Sequence, residues 1–226
     1  MGSNPILSSN LKYINKCMTK ILEATEQFNH CQRNWDMSKP VDDDTIKYLI
    51  DVGNAAPKKQ NIVNFHTICI KDQNLVSEIE QYCYSSHAPK KLWEDHPSGR
   101  HENPQVKAPL LILFVVDIDY KLALEHSSSL TLKEDMEQVS LIEIGIAASA
   151  IGIAANDLGL RTGFNSCVNT NAMPEYIPGT KIKSLNIATT MGIGYPQYDQ
   201  DQHHIQTDKL YEHDRHLNSA NKSIIL

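Results

Sequence analysis

The chain has 226 residues, 41% hydrophobic and 21% charged, which is enough apolar material for one large folded domain or two small ones. A formal net charge of -6 and a pI near 5.9 leave no dominant basic face, so a nucleic-acid partner is not expected. Five scattered cysteines, Cys17, Cys31, Cys69, Cys83 and Cys167, form no CxxC pair and no disulfide framework, which points to a reducing compartment, hence the cytoplasm.

No basic segment followed by an apolar stretch opens the chain, so no secretory leader is expected. Ile6 stands where a myristoylation motif wants Ser or Thr. Residues 10–28 place Leu11, Ile14, Met18, Ile21 and Leu22 at helical spacing. A polar, basic stretch follows at 29–35, NHCQRNW. Residues 40–56 read as a helix with Asp42 as N-cap and more acids in its first turn, where the helix dipole favours negative charge. That pattern stops at Ala55, Ala56 and Pro57. A strand is predicted over 65–71, and the corner between them holds Lys58, Lys59, Gln60 and Asn61. A plain turn would use Gly or Asp there. A short helix is predicted over 75–84. The stretch 85–108 carries Pro, Gly, His and charge without periodicity, as a lid loop would. Residues 109–117, PLLILFVVD, are continuously apolar and predict a central strand.

The longest element begins at a Thr131–Glu134 capping box and runs to Gly159, a C-cap, for about 40 Å. Its middle, 144–155, is rich in Gly and Ala, which suits close packing with other backbones. This run is too short for a bilayer and is flanked by Glu143 and Asp157, so it predicts a core helix and no membrane partner. Further strands are predicted over 162–168 and 185–193. From about residue 197 to 226 the tail is too polar to build its own core and reads as an arm. Helices and strands mix without βαβ alternation, which gives an α+β class. Rossmann and P-loop fingerprints are missing. His203 and His204 are adjacent, and His213 and His216 are three apart, but no Glu or Cys joins them at zinc-like spacing. No metal is expected.

Three polar corners, 29–33, 57–61 and 163–167, lie at element edges. Basic and amide groups of this kind suit an anionic, planar ligand with several acceptors, since Arg and Lys answer phosphate and amides answer polar ring edges.

In this order the corners resemble the nitroreductase family of FMN-dependent oxidoreductases, from about residue 27 to 200. The run 29–35 stands in place of R-R-S-x-R-x-F, and APKKQNIVNF at 56–65 in place of A-P-S-S-x-N-x-Q-P-W. Asn103, Val106, Ala108 and Pro109 read N-x-x-V-x-A-P, one residue shorter than the family's N-x-x-x-V-x-A-P. Residues 155–160 match A-x-x-L-G-L, and 192–196 match the G-x-G-Y-P close. The resemblance implies a single domain over 1–226, with a mixed, mostly antiparallel central sheet flanked by helices. It also implies a homodimer with exchanged terminal arms and FMN at the interface.

By resemblance, Asn29, His30, Cys31 and Arg33 face the FMN phosphate, ribityl and N1–O2 edge. Arg33 lies where reduced flavin gathers negative charge. Asn103 reads the pyrimidine edge, and backbone N–H groups of Ser166 and Cys167 approach O4–N5. Pro57, Lys58, Lys59 and Asn61 touch the flavin held mainly by the other subunit, and His203 and His204 fall where the family supplies Lys or Arg to the phosphate. The implied reaction is ping-pong: NAD(P)H gives hydride to flavin N5 and leaves, and a nitroaromatic, quinone-like or other small acceptor follows. No catalytic acid or base is assigned. The sequence departs from the family pattern at Asn29, usually Arg, at the hinge lysines, usually Ser, and at the two histidines. The alternatives are reductive dehalogenation, flavin cleavage, flavin storage without turnover, and a structural dimer that has lost the cofactor.

Overall fold

The continuously apolar stretch predicted as a central strand is the one the sheet is built around. The computed structural model describes residues 20–28, 31–61, 63–83, 103–118 and 133–197. Asn29, His30, His203, His204, Thr131, most of the expected lid and nearly all of the expected arm lie outside the described residues. Strands β1 (Phe65–Ile70), β2 (Leu110–Val116), β3 (Arg161–Asn165) and β4 (Ile187–Gly194) form one sheet in the order β1-β2-β4-β3. Each pairing among them is antiparallel. Residues that alternate along a strand face opposite sides. Leu110, Ile112 and Phe114 of β2 therefore enter one core cluster, and Leu111, Leu113 and Val115 enter the other.

Four α-helices are described: α1 (20–28), α2 (Asp43–Ala55), α3 (Gln73–Glu80) and α4 (Lys133–Asp157). The Asp42 carboxylate caps α2 by accepting from Thr45 N at 2.8 Å. Helix α3 starts two residues before its apolar pattern because Asp72 accepts from Asn74 N and Leu75 N. Helix α4 ends as the sequence predicts. Gly159 sits at φ +80, with Leu160 N on Ala155 O and Gly159 N on Asn156 O, the paired bonds of a Schellman closure. Strand β4 begins later than its apolar pattern because Ser184–Asn186 forms a 3-10 turn.

Over Asp135–Asp157, α4 is long and apolar enough to cross a membrane by length and composition, longer than the apolar run read from sequence. One face of it nevertheless joins the core, where Ile144, Ala147, Ala148, Ile151 and Ala155 cluster with Leu110, Ile112 and Phe114 of β2. The small residues admit close neighbours: a Cβ on Gly152 would run into the Phe28 ring of α1.

Candidate functional site

The segment that follows α1 runs along the outer edge of β3. Gln32 N donates to Thr162 O at 2.8 Å, and the Cys31 thiol donates to Phe164 O at 3.1 Å. Trp35 then bridges to Pro196, beyond the end of β4, and its indole N–H reaches Pro104 O at 2.7 Å. This brings residues 31–35 against the turn at 103–106. Gln105 Nε2 lies 2.7 Å from Cys31 Sγ. Two glycines make the approach possible. A Cβ on Gly163 would stand 2.7 Å from Gln32 O and 2.9 Å from Gln105 O, and one on Gly192 would come closer still to Gln105 O. No side chain fits between these backbones.

Beneath the junction lies a buried polar chain. Glu80, at the end of α3, accepts from Asn103 N. Asn103 is 7% exposed; its Oδ1 accepts from Gln105 N at 3.1 Å and its Nδ2 donates to Asn165 Oδ1 at 3.1 Å. Asn165, 3% exposed, also accepts from Cys167 N at 3.1 Å and donates Nδ2 to Thr190 Oγ1 at 3.2 Å. That turn ends β3 at Asn165, three residues before its predicted end. Arg33 Nη1 donates to Cys31 O at 3.3 Å.

The structure thus brings together Cys31, Arg33, Asn103, Ser166 and Cys167. The lysine hinge is held elsewhere. Lys59 N donates to Glu143 Oε1 of α4 at 2.6 Å. Lys58 Nζ donates to Asn54 O and Ala56 O, carbonyls at the end of α2. Asn61 adopts φ 59, and Pro57 is exposed. The bonds of this hinge go to α2 and α4 rather than to the junction. Glu143 is 3% exposed, and its second oxygen has no partner among the described residues.

The nearby thiols differ in chemistry. Burial, then the charge of Glu80 and the neighbouring Cys167, pushes the Cys83 thiol up to about 12, so it packs as a neutral group. Cys167 is exposed. Among the described residues no group of three His, Cys, Asp or Glu is placed to hold a metal. Sequence reasoning missed Glu80, Gln105, Glu143 and Asn165. A lone amide or acid at an element end carries no local signal; only Asn165, breaking an otherwise strand-like run, hinted at a turn.

A profile of the Nitroreductase family matches residues 29–195, a span that contains the junction and the hinge. The chain belongs to the Nitroreductase family. Solved structures of similar fold include a nitroreductase family protein from Clostridium novyi NT, at 17% identity and TM-score 0.55, over 79% of this chain and 83% of that one. An NADPH:FMN oxidoreductase from Vibrio harveyi, complexed with NAD+, matches at 17% identity and TM-score 0.55, over 80% and 70%. A Bacteroides fragilis nitroreductase with bound FMN matches at 15% identity and TM-score 0.54, over 78% and 88%. At these identities the likeness is one of fold. No curated protein matches the chain.

Proposed function

We propose that this member of the Nitroreductase family is an FMN-dependent NAD(P)H oxidoreductase acting as a cytoplasmic homodimer on small acceptors such as nitroaromatics or quinones. Its 226 residues form a single domain, with 85–108 as a lid and 197–226 as an arm on the partner. The supporting observation is the junction of 31–35, 103–106 and 163–167, closed by glycine contacts and rich in donors. The donor set fits a flavin, whose O2, O4 and phosphate oxygens are acceptors. The V. harveyi and B. fragilis proteins add fold-level support.

Bound FMN would supply two-electron transfer between a nicotinamide and the acceptor. Arg33 would set positive charge at the N1–O2 edge. Asn103 has one Nδ2 hydrogen beyond its bond to Asn165 with which to meet the pyrimidine edge. Asn29, His30, Cys31, His203 and His204 would serve the phosphate and ribityl, and Pro57, Lys58, Lys59 and Asn61 would come from the partner chain. Because Lys58 is taken up by the carbonyls of α2, Lys59 is the lysine left for an anion. The test is purification, identification of co-purifying flavin, and anaerobic addition of NADH or NADPH. Yellow protein that bleaches with either nicotinamide is expected; colourless protein that refuses FMN would refute the reading.

A second reading is a flavin carrier without turnover. Asn29 and the His203–His204 pair favour it, since neutral groups hold phosphate less firmly than Arg or Lys. A carrier would bind FMN and keep its colour when NAD(P)H is added.

A further inference from the structure

We infer that Asn165 is a positioning residue: its buried amide occupies Cys167 N–H and leaves Ser166 N–H as the outward donor at the end of β3. This deepens the flavin reading and rests on it. Both lone pairs of Asn165 Oδ1 are filled, by Asn103 Nδ2 and Cys167 N, and Nδ2 donates to Thr190 Oγ1. A side chain so engaged has no acceptor to offer a ligand. It acts through what it holds.

It holds two pieces of the junction at once. One is the 103–106 turn, through Asn103, itself fixed by Glu80 and Gln105 N. The other is the chain leaving β3, bent by the bond from Cys167 N. The backbone carbonyls of Thr162 and Phe164 face the outer edge of β3, where Gln32 and Cys31 meet them. Ser166 is the first residue beyond β3, inside the turn that Cys167 N closes on Asn165. It is exposed, and its N–H has no partner among the described residues. Of the two N–H groups the resemblance offers to flavin O4–N5, only that of Ser166 is available.

The test uses the wild-type protein, with amide exchange followed by NMR before and after addition of FMN, and FMN binding followed separately by fluorescence quenching. Cys167 N–H is expected to exchange slowly in both states, and Ser166 N–H quickly without FMN and slowly with it. A Ser166 amide protected before FMN is added, or unmoved by FMN that binds, overturns the assignment while the flavin reading stands. Protein that binds no FMN overturns the flavin reading and this assignment with it. In Asn165→Leu, Cys167 N–H should become fast, the bound-flavin absorption band should move, and FMN should bind about three- to tenfold more weakly, the worth of one hydrogen bond. Unchanged exchange, spectrum and affinity would refute the role. Should that variant fail to fold, the wild-type exchange pattern decides alone.

Discussion

Gly192 shows how far one missing side chain shapes the junction. The atom nearest a Cβ there is the backbone oxygen of Gln105, inside any possible contact distance, and Ala108 Cβ follows at 2.8 Å. Neither is the far end of a flexible side chain, so Gly192→Ala must displace the 103–106 turn. Overpacking of this kind costs about 1–3 kcal/mol, and each kcal/mol lowers Tm by about 2–4 °C in a chain of this size. Thermal unfolding followed by circular dichroism checks the loss, and FMN affinity should fall with it. Cysteine reactivity gives a second residue-scale expectation. Burial raises the Cys69 thiol to about 11 and is the main cause lifting Cys83 to about 12. A raised thiol pKa keeps the group neutral until the pH approaches that value, and the thiolate is the nucleophile. At a pH of about 8, near the ordinary thiol range, an alkylating reagent should label the exposed Cys167 and spare Cys69 and Cys83 in folded protein, as peptide mapping would show. Rapid labelling of Cys83 would contradict the buried environment.

Elements were legible where their ends carry local chemistry. The hydrogen bond from Thr45 N, and after it the one from the Thr45 hydroxyl, hold the Asp42 carboxyl below its ordinary range. A depressed carboxylate pKa contributes stability above the unfolded value and loses it as pH falls through the folded one. Asp42→Ala should therefore unfold at lower urea than wild type at neutral pH, and the gap should close on acidification below the ordinary aspartate range. A gap that persists at that acidity would mean the cap does not act through its charge. Strand β2 was legible because an unbroken apolar run has nowhere to sit but the middle of a sheet. The ends of β3 and the buried chain were not, since Asn103 and Asn165 meet across 62 residues of sequence. A pattern read along the chain shows which face a residue takes, not which polar group waits there. Motif order carries the backbone's course and so names the segments of the junction, whereas the amide network is visible only once side chains are placed in space.

At the scale of the molecule, the face of α4 turned from the sheet is left uncovered by the described residues. Leu141 and Ile142 are 51% and 57% exposed, and Ile146, one helical turn beyond Ile142, is 40% exposed. Contiguous apolar surface of this kind marks contact sites. Glu143, between them in sequence, holds Lys59 N from inside, so the same helix that shows the apolar face also fixes the hinge. If a second copy covers that face and, as proposed, lends its hinge to the junction of the other chain, dimerisation and FMN binding become linked. Ile142→Glu would place a charge in the covered face, where an unpaired charge is strongly unfavourable. It should sediment as a monomer, and its FMN affinity should fall, because the partner's Lys59 is no longer supplied. Linkage gives a further check: FMN at about 100 times its Kd should stabilise the wild-type dimer by about 2.7 kcal/mol, and the monomeric variant by much less at the same concentration. An Ile142→Glu chain that sediments alone yet holds FMN as tightly as wild type would separate the two events and remove the hinge from the site.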